Sequence, residues 1–93
     1  DTATFLDVVK ESAAYSRVME GKGPKMVCGD YSPEGMVQIS YKDANLMHAQ
    51  GEKVGQQLPL LETYRDILGA CVKAGQEKLD NSSVIEEIRR RRK

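Results

Sequence analysis

Aromatic side chains are scarce in this 93-residue chain: it has no tryptophan, one phenylalanine and four tyrosines. That leaves few platforms on which nucleic-acid bases could stack. Net charge is also missing, because fourteen basic and fourteen acidic residues cancel. No global field therefore recruits nucleic acid or an anionic membrane. No apolar run approaches the roughly 18 residues that a membrane-spanning helix needs, and nothing at the start has the form of a signal peptide. Two cysteines, Cys28 and Cys71, are too few for a disulfide framework, and their spacing suggests no zinc site. That usage fits a reducing cytoplasm. The single histidine, His48, leaves neither Ser12 nor Ser16 a positioned base, so a serine nucleophile is not expected. There is also no GxGxxG following a strand and no convincing strand alternation, so a dinucleotide-binding fold is not expected here.

What is present is helical pattern. An apolar content of 40% and a charged content of 30% suit a folded globular chain, and the length suits one domain covering residues 1–93. Asp1 or Thr2 can cap a first helix running to about Met19 or Glu20. Its expected apolar stripe is Phe5, Val8 or Val9, Ala13, and Val18 or Met19, with Ser12 and Ser16 as small residues for a close helix crossing. The Gly- and Pro-rich segment 21–35 reads as a loop, which Met26, Val27 and Tyr31 could pin to the core. A second helix is expected from about Ser32–Glu34 to Val54, with Ile39, Leu46, Met47 and Val54 along one face. Gly55 suits its end and Pro59 the first turn of a third helix reaching about Ala74, where Gly69 marks a tight crossing. Cys71 falls on that helix's apolar face. A last helix opens at Asp80–Ser83, where Ser83 and Glu86 have capping-box spacing, with Val84, Ile85 and Ile88 as apolar contacts. The fold class expected is all-α, a compact bundle of about four to five helices.

Within the second helix, Lys42 and Asp43 form an adjacent charged pair. Spacing alone leaves them as two solvated side chains. The ordered set Lys42-Asp43, Gly55, Leu58-Pro59, Gly75, Asp80 and Ser82-Ser83-Val84 resembles the C-terminal domain of the β-hydroxyacid dehydrogenases, the 3-hydroxyisobutyrate dehydrogenase and 6-phosphogluconate dehydrogenase-like family. The FLDVVKESAAYSRVME stretch is similar to that domain's opening, with Ser16 at a recurrent serine. The resemblance implies that Lys42 contacts NAD or NADP beside the nicotinamide and that Asp43 orients this lysine or closes the site; the apolar stripes of the first and third helices, left without cover, predict a homo-oligomer. The resemblance also implies a small β-hydroxy acid or semialdehyde as substrate of the whole enzyme. The dinucleotide-binding domain and the general acid/base lysine of that family precede the point matching Asp1. No catalytic or metal-binding residue is therefore expected in this chain, and it should be inactive alone. Where the family often has an aromatic residue seven positions before the lysine, this chain has Gly35 followed by Met36. The alternative is a stand-alone helical dimerisation or interaction module that uses its apolar faces and its basic tail, Arg89 to Lys93. A start codon at Asp1 would favour that alternative.

Overall fold

The computed structural model describes all 93 residues and contains five α-helices: α1 (Thr2–Lys10), α2 (Arg17–Cys28), α3 (Val37–Val54), α4 (Pro59–Lys73) and α5 (Val84–Arg90). A short 3-10 turn, Asn81–Ser83, leads into α5. No strand forms; an isolated bridge joins Met36 and Asp80. The all-α expectation holds. No helix is long and apolar enough to cross a membrane.

The first helix is half as long as its pattern suggested. Asp1 does cap it, accepting from the Thr4 N–H at 2.9 Å. It then stops at Lys10, because Ser12 turns its hydroxyl onto the Val9 carbonyl at 2.7 Å and accepts from the Ala14 N–H. Such local side-chain bonds compete with helix continuation. Ser16 is not a packing residue inside that helix either. It is the N-cap of α2, accepting from the Met19 N–H at 3.1 Å.

Helix α2 occupies most of the segment expected to be a loop, and it carries Gly21, Gly23 and Pro24 in its interior. Proline there removes a helical hydrogen bond and costs about 3 kcal/mol in propensity terms. Tertiary contacts outweigh that cost. A Cβ on Gly23 would lie 2.6 Å from Leu6 Cδ1, so the bare backbone lets α2 press against α1. Lys25 donates to the Ser32 carbonyl at 2.8 Å, and Lys22 reaches Asp80. The tyrosine expected to pin this region does so: half-buried Tyr31 donates its hydroxyl to Glu86 at 2.5 Å.

Helices α3 and α4 pack antiparallel and hold the core, which consists of Val37, Ala44, Leu68 and Cys71, with Tyr41, Leu61, Ile67, Val72 and Val84 against it. Gly55, with φ of 71°, ends α3, and Pro59 opens α4, as the sequence indicated. Gly69 marks a close crossing, since a Cβ there would sit 3.3 Å from the Tyr41 hydroxyl. Burial raises the Cys71 thiol above its ordinary pKa. The face of α3 that packs differs from the one expected. Val37, Ala44 and Gly51 are buried, whereas Ile39, Leu46, Met47 and Val54 are exposed. At Gly51 the bare backbone lets the connection to α4 fold back, since a Cβ there would meet the Gln56 carbonyl oxygen and Leu58 at 3.0 Å. On α1 and α2 too, Phe5, Val8 and Val18 are largely exposed and no residue is fully buried. Ile88 of α5 is exposed as well.

The α5 start is also built differently from a capping box. Ser83 makes no capping bond with its side chain, and its hydroxyl instead accepts from Gln76 Nε2 at 3.1 Å. Asp80 caps the preceding turn, accepting from the Ser82 N–H at 3.0 Å.

Candidate functional site

The pair Lys42 and Asp43 stands on the face of α3 turned away from α4. Lys42 Nζ lies 3.6 Å from Asp43 Oδ1, and the two side chains are 62% and 53% exposed. Their surroundings along the helix are apolar. Lys42 is one turn after Ile39 and one before Leu46; Asp43 is one turn from Ile39, Leu46 and Met47. All three of those side chains are exposed, Leu46 at 63%. A cation and a carboxylate are thus set in an uncovered apolar stripe.

Neither residue lines the apolar cavity between α1 and α2 or the polar groove beside Tyr41. The apolar cavity, of about 380 Å³, is bordered by Phe5, Leu6, Met19 and Met26, with Ile85 of α5 at its edge. The more polar groove, of about 340 Å³, lies beside Tyr41 and Arg65. The Lys42–Asp43 face is open to solvent. His48 is half-buried and sits 3.7 Å from Glu52. Met36 precedes α3 and is tied by backbone to Asp80. The basic tail is partly engaged: Arg89 pairs with Glu86 at 3.0 Å, while Arg90 and Arg91 both pair with Glu87.

The residue that sequence reasoning undervalued is Asp80. It is fully buried and gathers three separated segments. Oδ1 accepts from the N–H groups of Glu34 and Gly35, which lead into α3, and Oδ2 accepts from the Ser82 N–H and hydroxyl. Lys22 of α2 bonds both oxygens. Burial alone would raise its pKa; the Ser82 hydroxyl, the Glu34 N–H and the Lys22 ammonium outweigh this and hold it well below the usual carboxylate range. The signal was a Gly-Pro-rich stretch containing Lys22 and Lys25, which composition alone assigns to a loop.

The chain is all-helical and carries a lysine and a carboxylate within an exposed apolar face. The comparisons give the chain a family. A family model described as the NAD-binding region of NADP-dependent 3-hydroxyisobutyrate dehydrogenase matches residues 1–88. L-threonate dehydrogenase of Pectobacterium atrosepticum is 35% identical over 80 residues, covering 86% of this chain and 26% of that protein. The 2-hydroxy-3-oxopropionate reductase of Escherichia coli is 25% identical over 75 residues, covering 81% of this chain and 26% of that protein. The crystal structure of 3-hydroxyisobutyrate dehydrogenase from Salmonella typhimurium superposes with a TM-score of 0.88 at 32% identity, over 91% of this chain and 30% of that one. This chain belongs to the 3-hydroxyisobutyrate dehydrogenase family of β-hydroxyacid dehydrogenases. These relatives are a dehydrogenase and a reductase, the family model is described as NAD-binding, and the chain spans about a quarter of the length of these two relatives.

Proposed function

We propose that this chain is the C-terminal helical domain of an NAD(P)-dependent dehydrogenase acting on a small β-hydroxy acid or its semialdehyde. In that reading residues 1–93 are one domain, supplying a cleft wall, a cofactor-contacting lysine and a subunit interface to a homo-oligomer. The observation that carries it is the Lys42–Asp43 pair set among exposed Ile39, Leu46 and Met47.

Those residues fit one edge of a nicotinamide cofactor. The ammonium of Lys42 offers a donor to a negatively polarised oxygen, and the stripe offers apolar surface to a ring. They do not fit a whole dinucleotide, since no glycine-rich turn between strand and helix is present to cradle a pyrophosphate. The cofactor, when bound, supplies the hydride acceptor or donor. Asp43, 3.6 Å from Lys42 Nζ, biases the direction of the ammonium, and the exposed apolar neighbours exclude water once a second wall closes. No group in the chain is poised to move the substrate's hydroxyl proton, so the domain alone is inactive.

The test uses the full-length natural protein. Hydride transfer is assayed on small hydroxy acids with both nicotinamide cofactors, with Lys42→Ala beside the wild type. A cofactor KM raised about tenfold or more is expected, corresponding to the loss of one charge-assisted contact. An unchanged KM and kcat would leave Lys42 as a surface charge.

A second reading, a stand-alone interaction module, draws on the largely exposed Phe5, Val8 and Val18. Its basic-tail component is weakened because Arg89, Arg90 and Arg91 already have acidic partners within α5.

A further inference from the structure

On the crossing of α3 and α4, away from Lys42, a groove of about 340 Å³ is lined by Tyr41, Arg65, Asp66, Gly69, Ala70 and Lys73. We propose that this groove binds a phosphate-type anion, held by Arg65, Lys73 and the Tyr41 hydroxyl.

The helix register brings the donors together. Arg65, Gly69 and Lys73 are successive residues one turn apart on α4, so Arg65 and Lys73 flank Gly69 at a Cα separation of about 12 Å along the axis. The Tyr41 hydroxyl lies at that midpoint, against the bare backbone of Gly69. A Cβ at position 69 would sit 3.3 Å from its oxygen, so the tyrosine would have to give by a few tenths of an ångström. Both long cationic side chains line the groove on either side of that midpoint.

Arg65 is oriented before any ligand arrives. Its Nε donates to Asn45 Oδ1 at 2.6 Å, which fixes the plane of the guanidinium and leaves its terminal nitrogens free of any protein acceptor. The ion pairs of the chain involve neither Arg65 nor Lys73. A planar fork of N–H donors and a mobile ammonium are the two ways side chains recognise phosphate oxygens. Asp66 is the one acidic residue on the rim. Two cations against one carboxylate leave the groove positive, while Asp66 moderates the attraction and gives the proposal a sign to test.

The experiment titrates inorganic phosphate calorimetrically into the full-length natural protein, with the nicotinamide cofactor saturating so that phosphate cannot report on the cofactor's place. Saturable binding with a Kd below about 10 mM is expected. Arg65→Gln and Lys73→Gln should each weaken it about tenfold, and Asp66→Asn should tighten it severalfold, opposite signs that loss of structure would not produce. Lys73 is exposed, so its variant keeps the fold even if the Asn45 contact matters to Arg65. Lys42→Ala should leave phosphate affinity unchanged, which separates this groove from the dehydrogenase reading. Absence of saturable binding, or equal affinity in the wild type and both glutamine variants, would overturn the proposal.

Discussion

Lys22 and Asp80, fifty-eight residues apart in sequence, meet with Nζ at 2.9 Å from Oδ1 and 3.1 Å from Oδ2. The carboxylate is fully buried and the lysine three-quarters so. Around this contact α2, the entry to α3 and the turn before α5 are held together, although the apolar core lies elsewhere, between α3 and α4.

Because Asp80 serves five donors and Lys22 only one acceptor group, the two are not equivalent. Asp80→Ala should lower unfolding free energy by about 3–5 kcal/mol, since it strands a lysine and several N–H groups. Lys22→Met leaves Asp80 its backbone and hydroxyl donors and should cost less, about 1–3 kcal/mol. Urea unfolding followed by circular dichroism gives the order; equal losses would contradict it.

Acid should loosen the same contact. The folded-state pKa of Asp80 lies below the unfolded value of about 3.9, so its contribution is present above that pH and is withdrawn as pH falls through the folded value. At the alkaline end, burial and then the hydrogen bond to Glu86 push Tyr31 up to about 12. A raised pKa contributes below the unfolded value of about 10 and is lost as pH rises through about 12. Urea midpoints should therefore fall below about pH 4 and above about pH 10, with Tyr31→Phe flattening the alkaline limb.

Two helical glycines should respond oppositely to alanine. At Gly51 a Cβ would meet the Gln56 carbonyl oxygen and Leu58 Cδ1, each at 3.0 Å. Gly51→Ala should destabilise by about 1–3 kcal/mol, overcoming its gain in helix propensity. At Gly21 nothing lies within 4 Å, so Gly21→Ala should stabilise by about 0.5–1 kcal/mol. Thermal melts of both variants distinguish the signs.

The half of the fold around the Gly55–Pro59 connection was legible in the sequence, because terminators act locally: a glycine with φ of 71° and a proline at a first turn need no tertiary partner. The other half was not. The break between α1 and α2 depends on where two serine hydroxyls point, and α2 survives its glycines and proline through Leu6 and Asp80, which no local pattern reveals. The charged pair at Lys42 and Asp43 was visible, but the face it occupies was not. The pattern put Ile39, Leu46 and Met47 inward, whereas Ala44 and Gly51 face the interior and leave that stripe, with the pair in it, open.

The most direct test of the cofactor-wall reading is the nicotinamide cofactor KM of the full-length natural protein, wild type against Lys42→Ala and Lys42→Arg. The account predicts a rise of about tenfold or more for alanine and partial retention of affinity for arginine, with thermal stability unchanged because the side chain is exposed. A Lys42→Ala enzyme with wild-type cofactor KM and kcat would contradict it.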